Sequence, residues 1–433
     1  MRKLRVRSDL VSLRLIERRI VPILIERMRE SPVVALQGAR SVGKSTVLRL
    51  VAEHHEVVVI DLDDETQRAL AEASATDVVD ERPPVCIDEY QRVPAVLQAI
   101  KAQLNRHHEN GRYVLTGSSS FWALPRGTQS LTGRMHLLEI MPLSQGEIDG
   151  LHEDFLDVAM SEPDRLSLRR AKGTQRGDYV ERIRRGGLPL AIAVSGHARD
   201  RFFRSYVGAE LARDVLDLAN IRQVNVLPQL LDRLAGQSAQ LLNVAKAGAA
   251  VGLEQRTADN YVRLLEALFL VRKLPAWGRT LRARATKAPK LHLVDSGLAA
   301  HLMGVSARKL ERRDPAAIVE FGHLLETFVV GELLKQASWR DDIDHIGHWR
   351  TSDGAEVDLI IETFDGDVFA FEVKAHQEAG ARDAKGLRML RESLGEQFCG
   401  GFILNTGPVA YRLEDRIHVC PIDRLWHPAS ETT

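Results

Sequence analysis

Three groups of residues in this 433-residue chain combine types and spacings that could do chemistry. The first is the stretch GARSVGKS, where Gly38, Gly43, Lys44 and Ser45 fit G-x-x-x-x-G-K-[ST]. A loop of this kind turns its backbone N–H groups onto phosphates at a helix N-terminus. Its lysine reaches the β and γ phosphates and its serine hydroxyl ligates Mg²⁺. Ala39, Arg40, Ser41, Val42 and Thr46 complete the cradle. The second group is Asp88 and Glu89, which close the apolar run PVCIDE. Asp88 could hold Mg²⁺ through water, and Glu89 could orient and deprotonate an attacking water. The third group is Asp358 followed by Glu372-x-Lys374. Residues two apart on a strand share a face. Two carboxylates, with Glu326 as a third from a helix, could clamp Mg²⁺ or Mn²⁺ while Lys374 holds or deprotonates a water.

Accessory groups stand near the first two. LTGSSS brings Thr116 and Ser118 to the end of a strand, where hydroxyls could touch a γ-phosphate or polarise the lytic water, or could simply shape a turn. SLTGR puts Arg134 on an exposed turn, suited to neutralising transition-state charge in a neighbouring subunit's site.

The elements that must carry these groups can be read from periodicity. Residues 31–145 alternate strand and helix (VVALQ, VVVIDLDD, PPVCIDE, RYVLTG, RMHLLEI), predicting a doubly wound α/β core with a mostly parallel sheet. Residues 1–30 read as an amphipathic helix, and residues 146–220 as a helical lid broken at GGLPLA. Residues 221–290 have helix-turn-helix rhythm. Thr257 is expected to cap a helix whose Val262, Leu265, Leu268 and Phe269 face inward and whose Arg256, Asn260 and Arg263 face outward. A basic run follows, with Arg279, Arg282, Arg284, Lys287 and Lys290 and no acid, where a β-wing would meet a phosphate backbone. Residues 291–433 read as a strand, helices and a mixed sheet.

The set GARSVGKS, CIDE, LTGSSS, SLTGR and MPLS-x-x-E resembles a widespread prokaryotic family of AAA+ ATP-binding proteins that carry a C-terminal domain of unknown function. The likeness continues through GGLP, RDVLDL, LVDSGLAAHL, LLETFVVGEL and EVDLII…FEVKA. The resemblance implies an AAA+ core, a winged-helix-like middle and an end of the PD-(D/E)xK restriction-endonuclease type, with Arg134 as an arginine finger.

Composition narrows the rest. Lys plus Arg equals Asp plus Glu, 59 each, so any nucleic-acid contact must come from local patches. Three scattered cysteines exclude a disulfide framework or a zinc ribbon. The pairs His54–His55, His107–His108 and His345/His348 lack further ligands and read as surface or strand histidines. The charged N-terminus and the absence of a long apolar run point to a cytoplasmic protein without a membrane span. The expectation is an ATPase, homo-oligomeric through its AAA+ domain, that uses ATP and Mg²⁺ to remodel or process branched or broken duplex DNA by its structure. The alternative is an ATP-gated switch or defence component acting on a protein partner through a catalytically silent nuclease fold.

Overall fold

The computed structural model describes residues 15–121, 131, 133–168, 173–210, 224–278, 280, 288–306 and 315–428. The β-branched run Val33–Gln37 forms β1, an interior strand of a sheet shared with β2 (Val59–Asp61), β3 (Val85–Asp88), β4 (Tyr113–Gly117) and β5 (Met135–Glu139). The order is β2-β3-β4-β1-β5, and every pairing is parallel. Parallel neighbours require crossovers, supplied by α2 (Lys44–His54), α3 (Glu65–Ala73), α4 (Ala75–Val79) and α5 (Ala95–Arg106), with α1 (Ile20–Glu30) leading in. Side chains alternate across β1. Val34 and Leu36 join Leu24, Val47 and Leu48 on one face, while Val33 and Ala35 join Val96, Leu97 and Ile100 on the other. Helices therefore cover both faces, as the doubly wound pattern predicts. Of the helix expected over residues 1–30, the structure shows α1 alone, with Ile20, Leu24 and Met28 buried at four-residue spacing; residues 15–19 precede it without helix, and residues 1–14 lie outside the described residues.

A helical region follows: α6 (Gln145–Asp149), α7 (Phe155–Ser161), α8 (Arg176–Arg185), α9 (Pro189–Ile192) and α10 (Gly196–Ser205). The break at GGLPLA has a steric cause. The Leu143 amide donates to the Gly187 carbonyl at 2.8 Å, and that close approach leaves room only for glycine, since a Cβ on Gly187 would collide with the Leu143 carbonyl. The chain then runs α11 (Leu227–Ala235), β6 (Gln240–Leu241), α12 (Val244–Ala249), α13 (Gln255–Ala267), β7 (Val271–Leu274) and β8 (Lys290–Leu293). These three strands form an antiparallel sheet in the order β6-β8-β7. The strand expected to begin the C-terminal domain is β8, so the chain stays in the middle sheet past residue 290. Thr257 does not cap α13. The helix starts at Gln255 with Glu254 in the cap position, and Thr257 lies inside its first turn.

Beyond α14 (Ser296–Leu302) and the long α15 (Pro315–Ala337), six strands form a mixed sheet. They are β9 (Ile343–Arg350), β10 (Glu356–Thr363), β11 (Val368–Lys374), β12 (Phe398–Asn405), β13 (Tyr411–Glu414) and β14 (Ile417–Pro421), in the order β13-β14-β12-β11-β10-β9. Helix α16 (Lys385–Leu394) and α15 lie against it. One apolar cluster runs from Leu24 and Val47 through Leu231, Leu298 and Phe328 to Phe371 and Trp426, so the P-loop core and the C-terminal sheet share a core. Among the described residues no helix is long and apolar enough to cross a membrane.

The entry to the helical region has a titratable weak point. Ser144 and Glu147 make a capping box for α6. Behind it, buried Glu153 accepts from the Ser144 hydroxyl and from the Gly146 amide at 2.9 Å. Burial pushes its carboxyl up to about 7, despite the Ser144 bond. The folded state thus holds this proton more tightly than the unfolded chain, so the linked stability is complete below the ordinary glutamate range and lost as pH rises through about 7. Glu153→Gln carries no proton to lose. Its thermal midpoint is expected to gain on wild type by roughly 1–2 °C between pH 6 and pH 8.5. Parallel pH profiles of the two proteins would contradict the assignment.

Candidate functional site

The phosphate cradle is built where β1 ends. Gly38 (φ 153°) must be glycine, because a Cβ there would strike the Ile140 carbonyl. Ser41 and Gly43 take left-handed backbone conformations (φ 63° and 100°), which turn the loop back into α2. Helix α2 begins at Lys44, so its N-terminal turn follows directly on the loop. Lys44 is buried, and its ammonium donates to the Gly38 and Ala39 carbonyls at 2.9 Å each. The loop is braced from outside. Arg18, which the sequence did not single out, donates to the Val42 carbonyl at 2.8 Å, the Met141 carbonyl at 2.7 Å and Glu147 at 3.1 Å. The Tyr206 hydroxyl donates to the Arg40 carbonyl at 3.1 Å.

The strand-end carboxylates lie beside the loop. Asp88 is buried, accepting from the Thr116 hydroxyl and from the Glu89 amide at 3.1 Å. Glu89 is in the left-handed region (φ 54°), an uncommon place for a residue with a side chain. The turn swings its carboxylate out of the strand line, where Gln91 and Ser118 hold it, the serine hydroxyl donating at 3.1 Å. Burial raises the Glu89 carboxyl above its usual range, and Lys44 partly opposes that shift. A carboxylate poised upward is a better proton acceptor at neutral pH. Thr116 and Ser118 therefore contact Asp88 and Glu89. Gln91 joins them without having been marked by any motif.

Arg134 stands immediately before β5, whose first residue Met135 pairs with Val33. It is at the opposite strand ends from the loop after Gln37, on the order of 13 Å away along β1. That separation is longer than an arginine side chain, so Arg134 does not reach the phosphate cradle of this chain. Its guanidinium donates to Asn105 at 2.6 Å.

The charged residues of the C-terminal sheet assemble differently from expectation. Leu359 pairs with Phe371, and the same register carried one residue further sets Asp358 opposite Glu372 on one sheet face. Both are buried. Lys374 donates to Glu372 at 2.6 Å. Asp358 pairs instead with Lys290, whose ammonium donates to Asp358 and to Glu326 at 2.7 Å each. The second Asp358 oxygen accepts from the Val373 amide at 2.9 Å. Lys290 was expected on a DNA-facing wing. Its side chain is only 3% exposed, so it has no free ammonium for a duplex. The metal set Glu326, Asp358 and Glu372 is likewise corrected, because a lysine nitrogen stands between two of its members. Among the described residues no group of three or more His, Cys, Asp or Glu side chains is arranged to hold a metal ion. Burial opposes charge on Asp358, but Lys290 and the Val373 amide outweigh it and hold that carboxyl low. Burial and the Asp358 charge push Glu372 up.

Arg256, Asn260 and Arg263 are exposed on one face of α13 and Val262 and Leu265 are buried on the other; Leu268 is buried just past the helix end, whereas Phe269, expected to face inward with them, is only partly buried. Arg279, Arg282, Arg284 and Lys287 lie outside the described residues.

Comparison with known proteins finds three family matches along the chain. Residues 30–149 match an AAA domain, residues 176–309 a domain of unknown function (DUF8612), and residues 321–425 another (DUF4143). An uncharacterised protein of Mycobacterium tuberculosis is 27% identical over 424 residues, covering 96% of this chain and 86% of the relative. One from Haemophilus influenzae is 24% identical over 295 residues, covering 66% of this chain and 65% of the relative. Among solved structures, the Walker-type ATPase of Pyrococcus abyssi aligns at 14% identity with a TM-score of 0.42, over 66% of this chain and 96% of that one.

The geometry separates two contributions to the cradle. Lys44→Ala is expected to abolish binding of a fluorescent ATP analogue. Arg18→Ala is expected to weaken it by about tenfold, because the Val42 carbonyl loses its anchor. Undiminished affinity in a folded Arg18→Ala protein would show that the brace does not shape the loop.

Proposed function

Because this chain joins an AAA domain to a C-terminal domain of unknown function, we propose that it hydrolyses ATP and passes the nucleotide state to its middle and C-terminal parts to act on DNA. The observation that carries the hydrolysis step is the cluster of Lys44, Asp88, Glu89 and Ser118 at the strand ends. Lys44 holds the β and γ phosphates. Ser45 and Asp88 hold Mg²⁺, which supplies charge neutralisation on the transferring phosphoryl group. Glu89, already held above its usual carboxyl range by burial, positions and deprotonates the attacking water. Arg134 faces away from its own cradle and serves a neighbouring copy, which makes the active species an oligomer.

The DNA reading rests on the middle part. Its order α11-β6-α12-α13-β7-β8 with sheet order β6-β8-β7 supports a winged helix. Arg256, Asn260 and Arg263 line the outer face of the helix that such modules present to a duplex. The adjacent basic run supplies phosphate contacts independent of sequence. The C-terminal sheet, with Asp358 opposite Glu372 and Glu326 on α15, supports a nuclease-type fold used as a platform. A second reading, a switch acting on a protein partner, is favoured by one observation. Glu332 and Lys335 of α15 bind the chain just after β5, a route from nucleotide to C-terminal domain that needs no DNA.

Two measurements test this. Glu89→Gln is expected to bind ATP but to lose turnover by a factor on the order of 10² or more, whereas wild-type turnover rises with duplex, forked or four-way DNA. A flat response to every DNA selects the protein-partner switch. Arg134→Ala is expected to leave ATP affinity intact and lower turnover on the order of a thousandfold. Mixing it with Lys44→Ala subunits restores activity, since an intact cradle then meets an intact arginine. No rescue in mixtures that exchange subunits would contradict the trans role.

A further inference from the structure

The acidic cluster of the C-terminal sheet has the carboxylates of a cation site and a lysine in the place of the cation. Asp358 and Glu372 stand opposite each other on adjacent strands, and Glu326 on α15 shares the Lys290 ammonium with Asp358. The Nζ of Lys290 lies 2.7 Å from Glu326 and 2.7 Å from Asp358, the separations of charge-assisted hydrogen bonds. Its side chain is 3% exposed and that of Asp358 5%, so bulk water does not separate them. Lys290 does not belong to the sheet that carries the acids. It is the first residue of β8, paired with Leu241 of β6 and Leu274 of β7. The middle part of the chain therefore delivers a cation into the acidic centre of the C-terminal part.

We propose that the Lys290 ammonium is the resident cation of this centre, so that the wild-type protein takes up no divalent ion at Glu326, Asp358 and Glu372 and cleaves no phosphodiester there. The site is a buried ionic joint between the two parts; its three carboxylates are not set to hold a metal ion around the lysine, and they close on a divalent ion only when that ammonium is removed. A divalent ion on these carboxylates would stand a few ångströms from this ammonium, and like charges that close in a buried site repel strongly. One Glu372 oxygen is buried without a hydrogen-bond partner among the described residues, and it would become a ligand once the ammonium is removed. The inference rests on the geometry of the cluster alone and stands whether or not the chain acts on DNA.

Mn²⁺ titration of the nucleotide-free full chain, followed by electron paramagnetic resonance, tests it. Wild type is expected to show no Mn²⁺ site that depends on Asp358. Lys290→Met, which keeps the aliphatic stem and removes the charge, is expected to gain at least about tenfold in Mn²⁺ affinity. That gain disappears in Lys290→Met/Asp358→Asn. An Mn²⁺ site in wild type that Asp358→Asn abolishes, or Mn²⁺-dependent DNA cleavage abolished by the same change, overturns the proposal. So does a folded Lys290→Met protein with no new site. If Lys290→Met fails to fold, the cause is the stranded carboxylate, and the double variant must regain the fold. A double variant no better folded than the single one overturns the proposal as well.

Discussion

The stretch from Glu139 to Glu147 is the constraint on which the other parts of the molecule depend. The Ile140 amide donates to Gln37 at the mouth of the phosphate loop at 2.7 Å, and its carbonyl leaves room only for a glycine at position 38. Arg18 holds the Met141 carbonyl and Glu147. Leu143 bonds Gly187 of the helical region, and its carbonyl accepts from Lys335 at 3.0 Å. The Gln145 amide donates to Glu332 at 2.8 Å, while its side chain accepts from Arg182 and Arg185. Arg272 of β7 pairs with Glu139. A shift of the phosphate loop against Ile140 therefore presses on one short segment gripped by the N-terminal segment, the helical region, the middle sheet and α15.

Charge placement gives that segment its rigidity. Leu143, Ser144, Gln145 and Glu147 are buried, as are Glu332 and Lys335. A buried ion is tolerated only when its partners satisfy it, and removing one partner costs about 3–5 kcal/mol because the other is stranded. Glu147 meets this condition through Arg18, the Arg19 amide at 2.8 Å and the Ser144 amide at 2.9 Å. The same logic rules the acidic centre of the C-terminal sheet, where Lys290 satisfies Asp358 and Glu326. The P-loop offers an anion backbone amides and one lysine, now held by the Gly38 and Ala39 carbonyls. The carboxylates of the C-terminal sheet are met by lysines that come from within the chain.

Much of this architecture can be read from residue order. The strand–loop–helix around GARSVGKS, the strand ends bearing Asp88 and Glu89, and the alternation in EVDLIIET and VFAFEVKA are local patterns, and local patterns survive folding. Thr116 and Ser118 lie at the site because a strand register fixes them there. What escaped was long-range burial of charge. Lys290 follows a run of basic residues, and nothing in its neighbours shows that β8 turns it inward. Arg18 sits among other charges, and only the path of α1 brings it under the P-loop. Thr257 looked like a cap by residue type, yet α13 starts earlier because tertiary packing of Ala258, Tyr261 and Val262 sets the helix phase. Glu332 and Lys335 on the apolar α15 carried a faint signal, since a charged pair three residues apart on a buried helix demands partners.

The central claim is that nucleotide binding at the P-loop is felt in the C-terminal domain through Glu139–Glu147. Hydrogen exchange of the full chain, with and without a non-hydrolysable ATP analogue and Mg²⁺, tests it directly. The account predicts altered protection in the P-loop, in residues 139–147 and in α15 around Glu332–Gln336, all absent in Lys44→Ala. Changes confined to the P-loop and the ends of β3 and β4, with α15 untouched, would contradict it.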